Sequence, residues 1–275
     1  MHVIFTVLLS IMVICVPAWA EEGSADLGFG AIQLQPKAGP LRLLKTGDDS
    51  RGWEAVGRLE LGKTGFCTGT LIAPDLVLTA AHCLYSNTTG QMIPAENIEF
   101  RAGWRNGRAV AYRQARRTIA HPQYQYQGPD RVDRVAWDLA LIELAQPIRL
   151  PQVMPFATDT HIEAGDEVEV VSYAHDRAEA PSMQDVCEVM QRRNGFLLMT
   201  CDVDFGASGA PVFAKRNGRF EIVSVVSAKA ELDARKVSLG TLVDNLADLK
   251  GALAARGMDS GAPTRRMPGA KFVRP

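Results

Sequence analysis

The sequence predicts an all-β fold, a sandwich or barrel of many short strands, on three observations. Apolar residues between Trp53 and about Leu242 fall in short runs: AVGRLEL, TLIA, LVLTA, IEFRAG, LALIEL, VEVVSY, FLLMT, APVFA and EIVSVVS. Turn-forming clusters separate them, among them Lys63-Thr64-Gly65, Ala73-Pro74-Asp75, Asn106-Gly107 and Asn217-Gly218. Strands punctuated this often argue against alternating βαβ units. Only one segment carries a strong helical period: Leu242, Leu246, Leu249 and Leu253 in TLVDNLADLKGALAAR recur at near i, i+4 spacing. A helix laid on the barrel after the last strand is expected there.

The composition supports a folded domain. Of 275 residues, 47% are hydrophobic and 22% charged, enough to fill a large core. Thirty Lys and Arg against 31 Asp and Glu leave a net charge of −1, which gives no basic footprint for nucleic acid.

Residues 1–20, MHVIFTVLLSIMVICVPAWA, contain no Lys, Arg, Asp or Glu and end in Ala18-Trp19-Ala20, the pattern of a secretory signal with its cleavage site. An uncleaved anchor is the competing reading. Pro17 and the small residues at the cut favour cleavage, hence an extracytoplasmic protein without stable membrane association. Residues 21–49 are weakly patterned and read as a pro-segment or N-terminal extension. Residues 50–256 form the expected folded domain. The last stretch, 257–275, carries four Lys and Arg against one Asp and reads as a disordered basic tail.

Signal removal takes Cys15 and leaves Cys67, Cys83, Cys187 and Cys201, which suit two disulfides in an oxidising compartment. Spacing alone permits three connectivities. A hairpin narrows them: if Arg193-Asn194-Gly195 is the loop, Cys187 lies opposite Cys201, and Cys67 is left with Cys83. No CxxC or close His/Cys spacing suggests a metal site, so no metal or organic cofactor is expected.

Three segments carry candidate chemistry: TAAHC at 79–83, DLALIEL at 138–144 and GASGAP at 206–211. Together they resemble the trypsin/chymotrypsin-like serine peptidases, whose motifs run His, Asp, Ser along the chain. CTGTLIAPDLVLTAAHC, from Cys67 to Cys83, is the most specific stretch, and the resemblance covers roughly Gly57 to Leu246. It implies a fold of two antiparallel six-stranded β-barrels with a C-terminal helix. It also implies a secreted serine endopeptidase acting on protein or peptide substrates. A hydroxyl is a poor nucleophile at neutral pH, so an imidazole must take its proton and a carboxylate must orient the imidazole. The resemblance assigns these roles to Ser208, His82 and Asp138, and assigns the oxyanion-binding amides to Gly206 and Ser208. His121, His161 and His175 sit in no such motif, although His175-Asp176 is a rival dyad on paper.

The match has departures. Many relatives have Asp where Ala207 stands, to receive a newly cut N-terminal amine, and no IVGG-like start occurs here. CDVDFGASG and the short Asp-to-Ser spacing look closer to the bacterial glutamyl-endopeptidase-like branch, yet Val226 replaces the His on which that branch relies. Counting back from Ser208 puts Asp202 at the base of the substrate pocket, with Ser227 and Lys229 on its wall. Asp202 would favour Arg or Lys, whereas Lys229 would neutralise it or recognise acidic side chains. Two alternatives remain: a non-catalytic binding or regulatory protein on the same fold, motivated by Ala207, and an esterase of small substrates.

Overall fold

Alternation of apolar and polar residues turns into strands with one face inward. IEFRA at 98–102 buries every second residue, and EVEVVS at 167–172 buries Val168 and Val170. The structure, a computed structural model, describes residues 37–63, 65–126, 132–232 and 235–259. The expected signal, residues 21–36 of the extension and the tail beyond 259 lie outside the described residues.

In chain order the strands are β1 (Arg42–Leu43), β2 (Val56–Leu61), β3 (Phe66–Ala73), β4 (Leu76–Thr79), β5 (Ile98–Ala102), β6 (Ala111–Ala120) and β7 (Ala140–Leu144). There follow β8 (Ala157–Thr158), β9 (Glu167–Ser172), β10 (Ser182–Arg193), β11 (Phe196–Met199), β12 (Pro211–Arg216), β13 (Arg219–Leu232) and β14 (Arg235–Leu242). Helix α1 spans Val132–Val135 and α2 Leu246–Asp259. Strands β2-β3-β4-β7-β6-β5 close into one antiparallel barrel. A second six-stranded barrel runs β9-β10-β11-β14-β13-β12 and closes because β9 pairs with both β10 and β12. The two-barrel expectation therefore holds.

The barrels meet over aromatic rings. Trp53, just before β2, packs on Phe156, Phe213 and Phe220 at centroid distances of 5.8, 5.1 and 4.8 Å. Such offset and tilted pairs add to the area they bury. Tyr173, fully buried, donates its hydroxyl to the carbonyl of Trp104 at 2.8 Å.

Both expected disulfides form, Cys67–Cys83 and Cys187–Cys201. The hairpin argument needs one correction. The turn is a tight Asn194-Gly195 with Arg193 facing Phe196, not the three-residue loop expected. A bulge between Val189 and Gln191 then restores the register that sets Cys187 opposite Cys201. The helix also starts later than its leucines suggest. Leu242 ends β14 opposite Ser224, and a 3₁₀ turn at Val243–Asn245 leads into α2, which buries Leu246, Leu249 and Leu253. The ladder partner outcompetes the helical period at Leu242.

Residues 37–44 of the extension lie against the second barrel. β1 pairs with β10 through Arg42–Met183 and Leu43–Ser182, and Ala38 bridges to Cys187. Among the described residues no helix is long and apolar enough to cross a membrane.

Candidate active site

Strand register brings His82 and Asp138 together. β4 pairs with β7 so that Thr79 faces Ala140. Continued two residues beyond each strand end, that register sets Asp138 beside the 3₁₀ turn Ala81–Leu84, which carries His82. The Cys67–Cys83 bridge fastens the same turn to β3.

Asp138 is buried at 3% exposure and receives three hydrogen bonds. The His82 backbone N–H donates to Oδ1 at 2.8 Å, and His82 Nδ1 lies 2.6 Å from Oδ2. The hydroxyl of Ser227 donates to Oδ2 at 2.5 Å. Burial alone pushes the Asp138 carboxyl up. The opposing charge of His82, with the hydrogen bonds from His82 and Ser227, outweighs it and holds the group below its usual range. An ionised Asp138 accepts only, so Nδ1 carries the proton, and it is in the neutral form of the ring that Nε2 presents a lone pair.

Ser208 sits in the loop between β11 and β12, half-buried. Thr68 of β3 holds that loop from the first barrel. Its N–H donates to the Ser208 carbonyl at 2.8 Å and its hydroxyl to the Gly206 carbonyl at 2.9 Å. Gly209, with φ +79°, presses so closely on Thr79 and Thr68 that a Cβ would lie 2.1 Å from Thr79 Oγ1 and 2.3 Å from the Thr68 carbonyl. The loop that carries Ser208 is thus seated directly on the strand end that leads to His82. Gly206 has φ +96°, and a Cβ there would lie 2.5 Å from the Phe66 ring, so only glycine fits. Along this loop the amides of Ala207, Gly209 and Ala210 are tied to the carbonyls of Asp204, Val226 and Ala207. The amides of Gly206 and Ser208 bond to no other described residue.

The residues expected at the substrate pocket take partners that the sequence did not disclose. Lys229 pairs with Asp204 at 2.8 Å and lies 4.0 Å from the Phe205 ring. Asp202 is approached by Lys236 at 3.7 Å, and its amide donates to Gln184. Ser227, expected on the pocket wall, directs its hydroxyl to Asp138. The rival dyad does not form: Asp176 pairs with Arg177, and the His175 ring packs 5.1 Å from Phe66. His121 is buried against Trp137 at 4.9 Å, and His161 pairs with Asp159 at the surface. Cys67, His82 and Cys83 have ligand atoms within 4.8 Å of one another. Both sulfurs are in the disulfide and are not thiolate donors.

The chain has relatives among known proteins. A glutamyl endopeptidase from Bacillus licheniformis is 26% identical over 156 residues, 56% of this chain and 47% of that protein. A trypsin from Phaedon cochleariae is 38% identical over 88 residues, 32% of this chain and 30% of that one. The chain spans less than half the length of these two relatives. Among solved structures, a Glu endopeptidase in complex with MPD matches with TM-score 0.61 at 18% identity, covering 74% of this chain and 91% of that one. The Trypsin-like peptidase domain profile matches residues 67–221, more than half of the 275 residues, and the chain belongs to that family.

Proposed function

We propose that this protein is an extracytoplasmic serine endopeptidase, with Ser208 as nucleophile, His82 as general base and Asp138 as the orienting carboxylate. The observation that carries the proposal is the buried Asp138 carboxylate on Nδ1 of His82, which leaves Nε2 as the acceptor. His82 takes the Ser208 hydroxyl proton as Oγ attacks the scissile carbonyl carbon. The amides of Gly206 and Ser208, which bond to no other described residue, donate to the oxyanion that forms. His82 then gives the proton to the departing amine, leaving an acyl-enzyme. Water, deprotonated by His82, releases the acid and restores Ser208. No step calls on a metal or organic cofactor. The apolar, uncharged residues 1–20 and the two disulfides support export.

Of the three residues expected at the substrate pocket, Asp202 stays on the substrate side of this proposal, and Ser227 gives its hydroxyl to Asp138. Lys229 is occupied by Asp204, so it neutralises that acid rather than standing open to an acidic substrate group.

A fluorophosphonate probe with peptide mapping tests the function. Labelling of the native protein at Ser208, absent after denaturation and in Ser208→Ala, is the expected result. A native protein that stays unlabelled overturns it in favour of a binding role.

A further inference from the structure

The N-terminal segment 37–44 lies beside the chain that leads to the nucleophile, and two polar side chains join them. Gly39 N–H donates to the Val186 carbonyl at 2.7 Å, and Leu44 N–H to Pro181 at 2.9 Å, with Leu44 fully buried. Gln184 of β10, 2% exposed, stands between segment and wall. Its Nε2 donates to the Gly39 carbonyl at 2.7 Å, and its Oε1 accepts the Asp202 N–H at 2.7 Å. Only this orientation of the amide satisfies both partners. Thr200 makes a parallel link: its hydroxyl donates to the Lys37 carbonyl at 2.7 Å and accepts from the Glu188 N–H.

We infer that Gln184 is a positioning residue, tying the docked segment 37–44 to the Asp202 backbone so that the pocket wall at 202–204 is ordered by the segment. This rests on the peptidase reading only for its kinetic consequence. The alternative anchor familiar from the resemblance has no counterpart here, since Ala207 is fully buried and apolar. The segment instead contributes backbone carbonyls, at Lys37 and Gly39, not a charged amine.

The fastening of neighbouring residues predicts where the effect stops. The Phe205 carbonyl accepts from the His175 N–H, and the Gly206 and Ser208 carbonyls accept from Thr68. These bonds do not pass through Gln184. Losing the relay therefore loosens the pocket wall while leaving the nucleophile loop in place, a KM effect with little change in kcat.

Two point variants of the full chain test this. Gln184→Met keeps the side-chain volume but removes both bonds. Gly39→Leu acts on the segment alone, because a Cβ at Gly39 lies 2.9 Å from Val186 Cβ and lifts the segment off β10. Amide hydrogen exchange at 201–204 is expected to speed up roughly tenfold in Gln184→Met and about threefold in Gly39→Leu, with β3 unchanged. KM for a peptide substrate should rise about fivefold in Gln184→Met with kcat held within about twofold. Unchanged exchange in Gln184→Met overturns the relay. An effect in Gln184→Met with wild-type exchange in Gly39→Leu overturns the role of the segment. A wild-type protein that fails to label at Ser208 sinks the peptidase reading, and the exchange measurement still decides the relay.

Discussion

Asp138 carries a buried charge whose cost is met by three donors, so each donor is worth more than a surface hydrogen bond. The Ser227 hydroxyl is the one that does not come from His82. Its removal leaves Oδ2 to the imidazole alone, weakening the ionised state that orients the ring. A hydrogen bond to a charged group contributes roughly 1.5–3 kcal/mol, so Ser227→Ala should lower kcat/KM on a peptide substrate by about tenfold or more. Ser227→Thr, which keeps a hydroxyl, should recover most of it; equal losses in the two variants would exclude the hydroxyl as the cause. The pairing of His82 with Asp138 could be anticipated from the sequence because each sits in a dense local motif. Ser227 and Thr68 could not be read as partners. The first is 89 residues from Asp138 and the second 138 from Gly206, and a lone Ser or Thr in a strand gives no sign of where its hydroxyl points.

The two disulfides close loops of similar size, with sequence separations of 16 and 14, yet they brace different elements. Cys67–Cys83 joins β3 to the His82 turn, whereas Cys187–Cys201 joins β10 to the residue before Asp202. Chain entropy assigns each about 3 kcal/mol, so replacing either pair by Ser should lower Tm by roughly 6–12 °C. The kinetics should differ: loss of Cys67–Cys83 lowers kcat, and loss of Cys187–Cys201 raises KM. Scanning calorimetry with steady-state kinetics checks both, and matching kinetic losses would show that the bridges stabilise without positioning. The pairing was legible because Gly195, at φ +87°, marks the hairpin turn. The turn length was not. The bulge between Val189 and Gln191 offsets the shorter turn by one residue, so the sequence placed Cys187 correctly from a loop one residue too long. At Leu242 the opposite conflict arose, since a leucine with both a helical period and a ladder partner followed its partner across the sheet.

Across the whole molecule, buried ionisable groups make stability depend on pH in opposing directions. Burial presses His121 below its usual 6.5, so the folded protein resists a proton that the unfolded chain accepts. Its contribution is complete above pH 6.5 and is lost as pH falls through the folded value. Asp138 is also depressed, and its contribution is lost lower, below 3.8. Glu169 on β9 runs the other way. Burial raises it above 4.5, Lys215 only partly offsets this, Asp185 adds to it, and Oε2 has no hydrogen-bond partner among the described residues. Its folded value lies above its unfolded one, so the cost of a charged Glu169 is absent below 4.5 and complete once pH exceeds the folded value. Glu169→Gln should therefore raise Tm at pH 7 by about 2–4 °C, a gain of at most about 1 kcal/mol after allowing for solvent screening at a half-buried site. The gain should shrink toward zero as the pH falls to 4.5. His121→Gln should remove the slope that begins below pH 6.5 and leave the steep loss below 3.8. Thermal unfolding of the two variants from pH 3 to 8 separates these terms. A Glu169→Gln gain that persists at pH 4 would mean the carboxylate's charge is not what the fold bears.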